Sequence, residues 1–249
     1  MNVHVFKVGG NELDDADFVA RFAGLMAERS RNQEAVVIVH GGGKELTLLL
    51  EALRVPTQFV DGLRVTDAQT RDAALMVLSG LANKRLVAAL RAHGADALGM
   101  SGVDGGLITV APLRKELLFV GKPTHVRAEL LAAWLEQRLL PVIAPMSLGT
   151  DGCIYNVNAD HVASAVAAAL DARLLTFITN VPGVLDAAGG VIARLRTDQA
   201  QALIAQGVIH GGMIPKVQAA LDSLAGGVRR ARITNLDGVE ADTGTILNL

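Results

Sequence analysis

Sulfur and aromatic rings are scarce in this sequence. Cys153 is the only cysteine among 249 residues, so no internal disulfide can form, and with only scattered histidines there is no structural zinc set. A reducing, cytoplasmic compartment is the expectation. Aromatic residues make up 3% of the chain, which takes weight from base-stacking roles and leaves the core to Ala, Val, Leu and Ile. Neither charge sign dominates, since 23 Lys+Arg stand against 25 Asp+Glu for a net charge of −2. Without a basic surplus or stripe, a nucleic-acid partner is not expected. Long apolar runs are missing too. Val162 to Leu170 falls well short of the roughly 20 residues that cross a bilayer. The N-terminal stretch Met1 to Lys7 lacks the basic-then-apolar order of a secretion signal. Neither a signal peptide nor a membrane anchor is expected.

What remains is ample apolar mass. Hydrophobic residues reach 51% and charged residues 19%, with mean hydropathy +0.37, so a sizeable core can form and no disorder signature appears. The length suits one large α/β domain or two lobes sharing a sheet.

The order of patterns is informative. Val3 to Val8 reads as a strand, Gly9-Gly10 as a loop and Asp14 to Arg29 as a helix; Ala35 to His40, Gly41-Gly42-Gly43 and Lys44 to Leu53 then repeat that order. Two consecutive βα units imply a parallel sheet. Pro56 to Thr66 predicts a hairpin around Asp61-Gly62, followed by helices over Asp67 to Ser79 and Asn83 to His93, with Gly80 interrupting them. A strand over Ala97 to Met100, an antiparallel excursion over Leu107 to Gly121, a helix over Val126 to Gln137 and a strand over Leu140 to Pro145 follow. Cys153 to Val157 leads into an Ala-rich helix over Ala159 to Ala172, then a strand over Leu174 to Thr179. A strand near Val191 to Leu195, helices over Asp198 to Gln206 and Lys216 to Ala225, and strands over Ala231 to Asn235 and Thr245 to Leu247 complete the expectation. No Pro- or Ser-rich linker divides the chain, so two lobes on one continuous sheet are predicted, with a boundary near Asp171.

Gly9-Gly10, Gly41-Gly42-Gly43 and Gly211-Gly212 each precede a helix start. There, free N–H groups, the positive end of the helix dipole and the missing Cβ admit an anion. Tight turns alone would also account for any one of them. Neither standard nucleotide fingerprint fits. Lys44 lacks the spacing and the following Ser or Thr of a P-loop, and no first strand leads into Gly-x-Gly-x-x-Gly. Lys7 is an anomaly inside a central strand, because an unpaired buried ammonium is costly; it faces an anion, a surface, or an acid such as Asp160. Lys216 follows Gly211-Gly212 near a helix start, where a cation opposes the dipole, although a solvated lysine would look the same. Arg64 either grips a carboxylate or pairs with Asp67. Asn156, Asn158 and Asp160 stand at a helix entry, where at least one should cap. His40, His161 and His210 have no ligand spacing, no Ser-His-Asp context appears, and Cys153 has no reason to be reactive.

Together these segments resemble the amino-acid kinase family. The carrying stretches are Lys7-Val8-Gly9-Gly10, Val39-His40-Gly41-Gly42-Gly43, Gly62-Leu63-Arg64-Val65-Thr66-Asp67, Gly80-Leu81-Ala82-Asn83-Lys84, Ser101-Gly102-Val103-Asp104-Gly105, Tyr155-Asn156-Val157-Asn158-Ala159-Asp160 and Gly211-Gly212-Met213-Ile214-Pro215-Lys216. They come in the family's order and span nearly the whole chain. Gly-Leu-Arg-Val-Thr and Asn-Val-Asn-Ala-Asp are similar to its branch acting on N-acetyl-L-glutamate.

The resemblance implies a three-layer α-β-α sandwich with a mainly parallel central sheet and two lobes. Residues 1–171 would bind the acyl amino acid and dimerise; residues 172–249 would bind ATP. It implies transfer of the ATP γ-phosphoryl group to the side-chain carboxylate of N-acetyl-L-glutamate, giving an acyl phosphate and ADP, with Mg2+ carried by the nucleotide and no metal ligand from the chain. Lys7 and Lys216 would touch the migrating phosphoryl group and Asp160 would orient both. Gly42 and Gly43 would hold substrate and phosphate, Arg64 the α-carboxylate and Asn156 the substrate backbone. Gly9, Gly10, Thr179, Asn180, Val181, Gly183, Gly211, Gly212 and Met213 would seat the nucleotide. Asn180 stands where similar kinases often carry Asp. Arginine-sensitive relatives carry an extra helix ahead of the first strand, whereas this sequence opens on that strand, so a homodimer without arginine inhibition is expected. A kinase for carrier-linked aminoadipate and a non-catalytic ligand sensor on the same fold are the competing readings.

Overall fold

The computed structural model describes residues 2–249. Eight strands form the central sheet, in the order Arg194–Arg196, Thr245–Asn248, Ala231–Thr234, Leu174–Ile178, Val3–Val8, Ala35–His40, Leu140–Ala144 and Ala97–Ser101. Every neighbouring pair is parallel except Ala231–Thr234 with Thr245–Asn248. Such strands are covered on both faces, which is why Ala35–His40 and Leu140–Ala144 are almost unbroken apolar runs.

Alternation along the strands sorts side chains to two faces. Phe6, Val8, Val36 and Ile38 pack with Phe22, Met26, Leu86 and Leu90 from the helices Ala16–Arg31 and Asn83–Ala92. Val5, Val37 and Val39 pack on the opposite side with Val162 and Val166 of the helix Ala159–Ala169 and with Val217 and Leu221 of the helix Met213–Ala225. The result is helix, sheet, helix. The sheet runs unbroken past residue 171, because Leu174–Ile178 pairs with the first strand from His4↔Leu174 to Val8↔Ile178.

Several elements differ from the sequence expectation. Gly80 interrupts nothing: one helix runs from Ala68 to Ala92, with π-helical turns over Leu75–Ala82. By length and composition that helix is long and apolar enough to cross a membrane, a feature the short apolar runs of the sequence do not predict; here it packs on the helix Ala16–Arg31 and the edge strand. The antiparallel excursion, Ile108–Pro112 with Val120–Val126, closes into a four-stranded barrel with Ile154–Val157 and a strand not anticipated, Met146–Gly149. Val191 makes only an isolated bridge to Leu185, and the edge strand is Arg194–Arg196. A short helix, Leu236–Glu240, was also unforeseen.

Candidate active site

Lys7 follows from the alternation just described. It shares the face of Val5, so its ammonium emerges toward the helices Ala159–Ala169 and Met213–Ala225 rather than toward Phe22 and Met26. It meets Asp160, in the first turn of the Ala-rich helix, with Nζ 2.9 Å from Oδ1. Asn158 caps that helix by accepting from the Asp160 N–H at 2.7 Å, which fixes the turn carrying the carboxylate. Lys216, one turn into the helix that begins at Met213, donates to the Asn180 side-chain oxygen at 2.9 Å. Burial lowers the Lys216 pKa and the nearby Lys7 charge lowers it further, while Glu12 acts in the opposite sense.

Lys7, Asp160 and Lys216 border one cleft of about 590 Å3, whose walls also include Gly9, Gly10, Gly43, Arg64 and Thr179. A smaller recess of about 270 Å3 shares Lys7, Gly43, Arg64 and Asp160 and adds Gly42 and Asn156. The structure thus brings together the two lysines, the acid, the first glycine loops and Arg64. Asn180, Val181, Gly183, Gly211, Gly212 and Met213 border neither cavity; Asn180 reaches the site through Lys216, and Gly212 precedes the helix bearing it. Asp160 contacts Lys7, whereas Lys216 is held by an amide.

The glycines divide by what surrounds them. A Cβ on Gly10 would lie 2.8 Å from the backbone of Gly42 and Gly43, so that glycine lets two loops touch. A Cβ on Gly43 would meet nothing within 4 Å, and Gly43 is the first residue of a helix. Open space beside a helix N-terminus suits an anion.

Arg64 ends the hairpin Phe59–Val60 and Leu63–Arg64. Its Nη2 donates to Thr47 Oγ1 at 2.7 Å, and its guanidinium carbon lies 4.8 Å from the centroid of the Phe59 ring. Its Nη1 is buried without a partner, although a buried donor normally has one. Asn156 donates to Thr66 Oγ1 at 3.2 Å. Reading the sequence missed Glu12, Lys44, Thr47 and Phe59 in the cleft wall. Lys44, beside the glycine run, had a local signal; Phe59 had only its place in the hairpin.

The amino acid kinase family profile matches residues 2–235. The chain belongs to this family. It is 54% identical to the acetylglutamate kinase of Roseiflexus castenholzii over 98% of its own length and 93% of that protein's. It is 43% identical to that of Methanopyrus kandleri, covering 98% and 100%. Among solved structures, the Streptococcus mutans protein smu.665 superposes with a TM-score of 0.84 at 32% identity, covering 99% of this chain and 98% of that one. Giardia lamblia carbamate kinase bound to AMP-PNP shares the fold, with a TM-score of 0.73 at 15% identity and coverage of 99% and 98%.

Proposed function

We propose that the protein is an acetylglutamate kinase of arginine biosynthesis, moving the ATP γ-phosphoryl group to the side-chain carboxylate of N-acetyl-L-glutamate. The observation that carries this reading is the meeting of Lys7 and Lys216 on one cleft, in a chain whose curated relatives at 40–54% identity share that name. A carboxylate with a reference pKa near 4.3 is ionised at neutral pH, so the nucleophile needs no base. The barrier is the approach of one anion to another, and positive charge placed in advance lowers it.

In this scheme Lys7 and Lys216 flank the migrating phosphoryl group and Asp160 keeps Lys7 aligned. The Gly42 and Gly43 N–H groups hold phosphate and acceptor, and the free Nη1 of Arg64 takes the α-carboxylate in a charge-assisted bond. Asn156 meets the acceptor's backbone. Thr179 to Gly183, Gly9, Gly10 and Gly211 to Met213 hold the nucleotide. The cationic cleft fits a nucleotide that brings Mg2+ with it, the ion supplying further charge neutralisation. Residues 1–171 form the acceptor-binding and dimerising lobe and residues 172–249 the nucleotide lobe. The enzyme is a cytoplasmic homodimer.

ADP release with N-acetylglutamate, glutamate and N-acetyl-aminoadipate, with hydroxylamine trapping the acyl phosphate, tests the assignment. Turnover and hydroxamate should appear with N-acetylglutamate and stay near background with glutamate. No turnover with N-acetylglutamate would refute it.

A further inference from the structure

His40 ends the second strand, immediately before the glycine run, and is fully buried. It shares the face of Val36 and Ile38, turned away from the cleft toward the helix Asn83–Ala92. Its Nδ1 lies 2.8 Å from the Gly41 carbonyl oxygen and its Nε2 lies 3.0 Å from Asn83 Nδ2. A carbonyl only accepts, so Nδ1 carries the proton and Nε2 accepts from the amide. The amide's orientation is set independently, because Asn83 Oδ1 accepts from Lys84 Nζ at 2.9 Å and Nδ2 also donates to the Val142 carbonyl at 2.9 Å. Asn83 is itself fully buried. One tautomer and one amide orientation satisfy the whole chain of bonds. Burial pushes the imidazole down to about 4, so it is neutral at physiological pH.

The consequence falls on the phosphate loop. In a trans peptide the C=O and the following N–H point in opposite directions. Holding the Gly41 carbonyl at His40 therefore turns the Gly42 N–H away from the ring. The loop is braced from the same helix, since a Cβ on Gly42 would lie 2.6 Å from Leu78 Cδ2 and 3.6 Å from the Ala82 methyl. Leu78 and Ala82 belong to the π-helical turns just before Asn83. A π turn inserts one residue and rotates everything after it, and such turns recur at functional sites.

We propose that His40, held by Asn83, is a positioning residue for phosphoryl transfer: it fixes the Gly41–Gly42 peptide so that the loop N–H groups face the transferred phosphate. This rests on the kinase reading above. Asparagine can present an N–H where histidine carries Nδ1, and glutamine can present a polar atom where it carries Nε2. His40→Asn thus keeps the bond to Gly41, and His40→Gln keeps only the contact with Asn83.

Calorimetry with AMP-PNP and with ADP, alongside kcat and thermal melting, separates the roles. His40→Gln should weaken AMP-PNP by about 10-fold and lower kcat by at least that factor, with ADP affinity within about 2-fold, as expected for a displaced phosphate ligand. His40→Asn should keep all three within about 3-fold even if its melting point falls as far. Equal losses in both variants, or parallel losses of AMP-PNP and ADP, would make His40 merely structural and overturn the proposal. Should His40→Gln not fold, Asn83→Asp, which removes the donor to Nε2, must show the same split between AMP-PNP and ADP, and its absence counts equally against the idea. If the wild type is inert toward N-acetylglutamate while His40→Gln still separates AMP-PNP from ADP, the acceptor assignment fails and the inference about the phosphate loop stands.

Discussion

Lys216 is held by the Asn180 amide rather than by a carboxylate, so the direct hydrogen bond an incoming phosphate must displace is to a neutral group. Lys216→Ala should lower kcat by roughly 100-fold or more, the order seen when one preorganised charge stabiliser is lost; steady-state kinetics at saturating ATP measure it, and unchanged turnover would reassign the residue to structure. Arg64→Ala should act mainly on the KM for N-acetylglutamate, by the roughly 1.5–3 kcal/mol of a charge-assisted hydrogen bond, and an effect confined to kcat would misplace it. Buried histidines set a pH dependence of another kind. Burial pushes both His4 and His40 from 6.5 to about 4; the Arg232 and Arg29 charges add to this at His4 and Lys84 at His40, while Glu34 opposes it at His4. Below 6.5 the unfolded chain binds protons that the folded chain refuses until about 4, so stability is level above that window and falls as pH drops through it. The loss is on the order of 3 kcal/mol per histidine at the bottom. Urea midpoints at pH 7.5 and pH 5 should show it, with a shallower slope in His40→Asn.

Among elements, the glycine loops give the sharpest contrast. Gly10→Ala forces a methyl against the Gly42 backbone and should cost about 1–3 kcal/mol of stability. Gly43→Ala has open space and a helical position; it should melt within about 1 kcal/mol of the parent yet lose activity, because the methyl occupies the anion's place. Thermal melts paired with kinetics decide the matter, and a fully active Gly43→Ala would mean no ligand comes there. The sequence alone made Lys7 conspicuous, since a charge in an apolar strand needs a reason. It could not show that Gly10 serves packing and Gly43 an opening, because that depends on what lies across the loop. Met146–Gly149 hid for a similar cause: four residues that follow Pro145 and end on a glycine become a strand only because Thr109, Val110 and Asn156 arrive beside them. The π-helical turns were invisible for want of a periodic signature, so Gly80 was read as a break.

At the scale of the molecule, the parallel order was legible because each βα unit declared itself in turn, whereas barrel closure depends on pairings far apart in the chain. The long helix exposes Met76 and Leu81, 66% and 44% accessible, which suits the proposed homodimer. Light scattering should return twice the chain mass, and Met76→Asp should shift it toward one; a monomeric parent would remove that proposal. In the proposed scheme, acceptor recognition is distributed unevenly over the fold. The hairpin that presents Phe59 and Arg64 is a two-stranded ribbon separate from the central sheet, and the Thr66–Leu118 bridge ties the chain just beyond it to the rest. The lysines, by contrast, are rooted in the core. On the proposed scheme, part of the choice of acceptor sits on this ribbon, apart from the lysines, and an altered ribbon could retune the enzyme toward a longer or bulkier acid while the phosphate-handling machinery stays as it is.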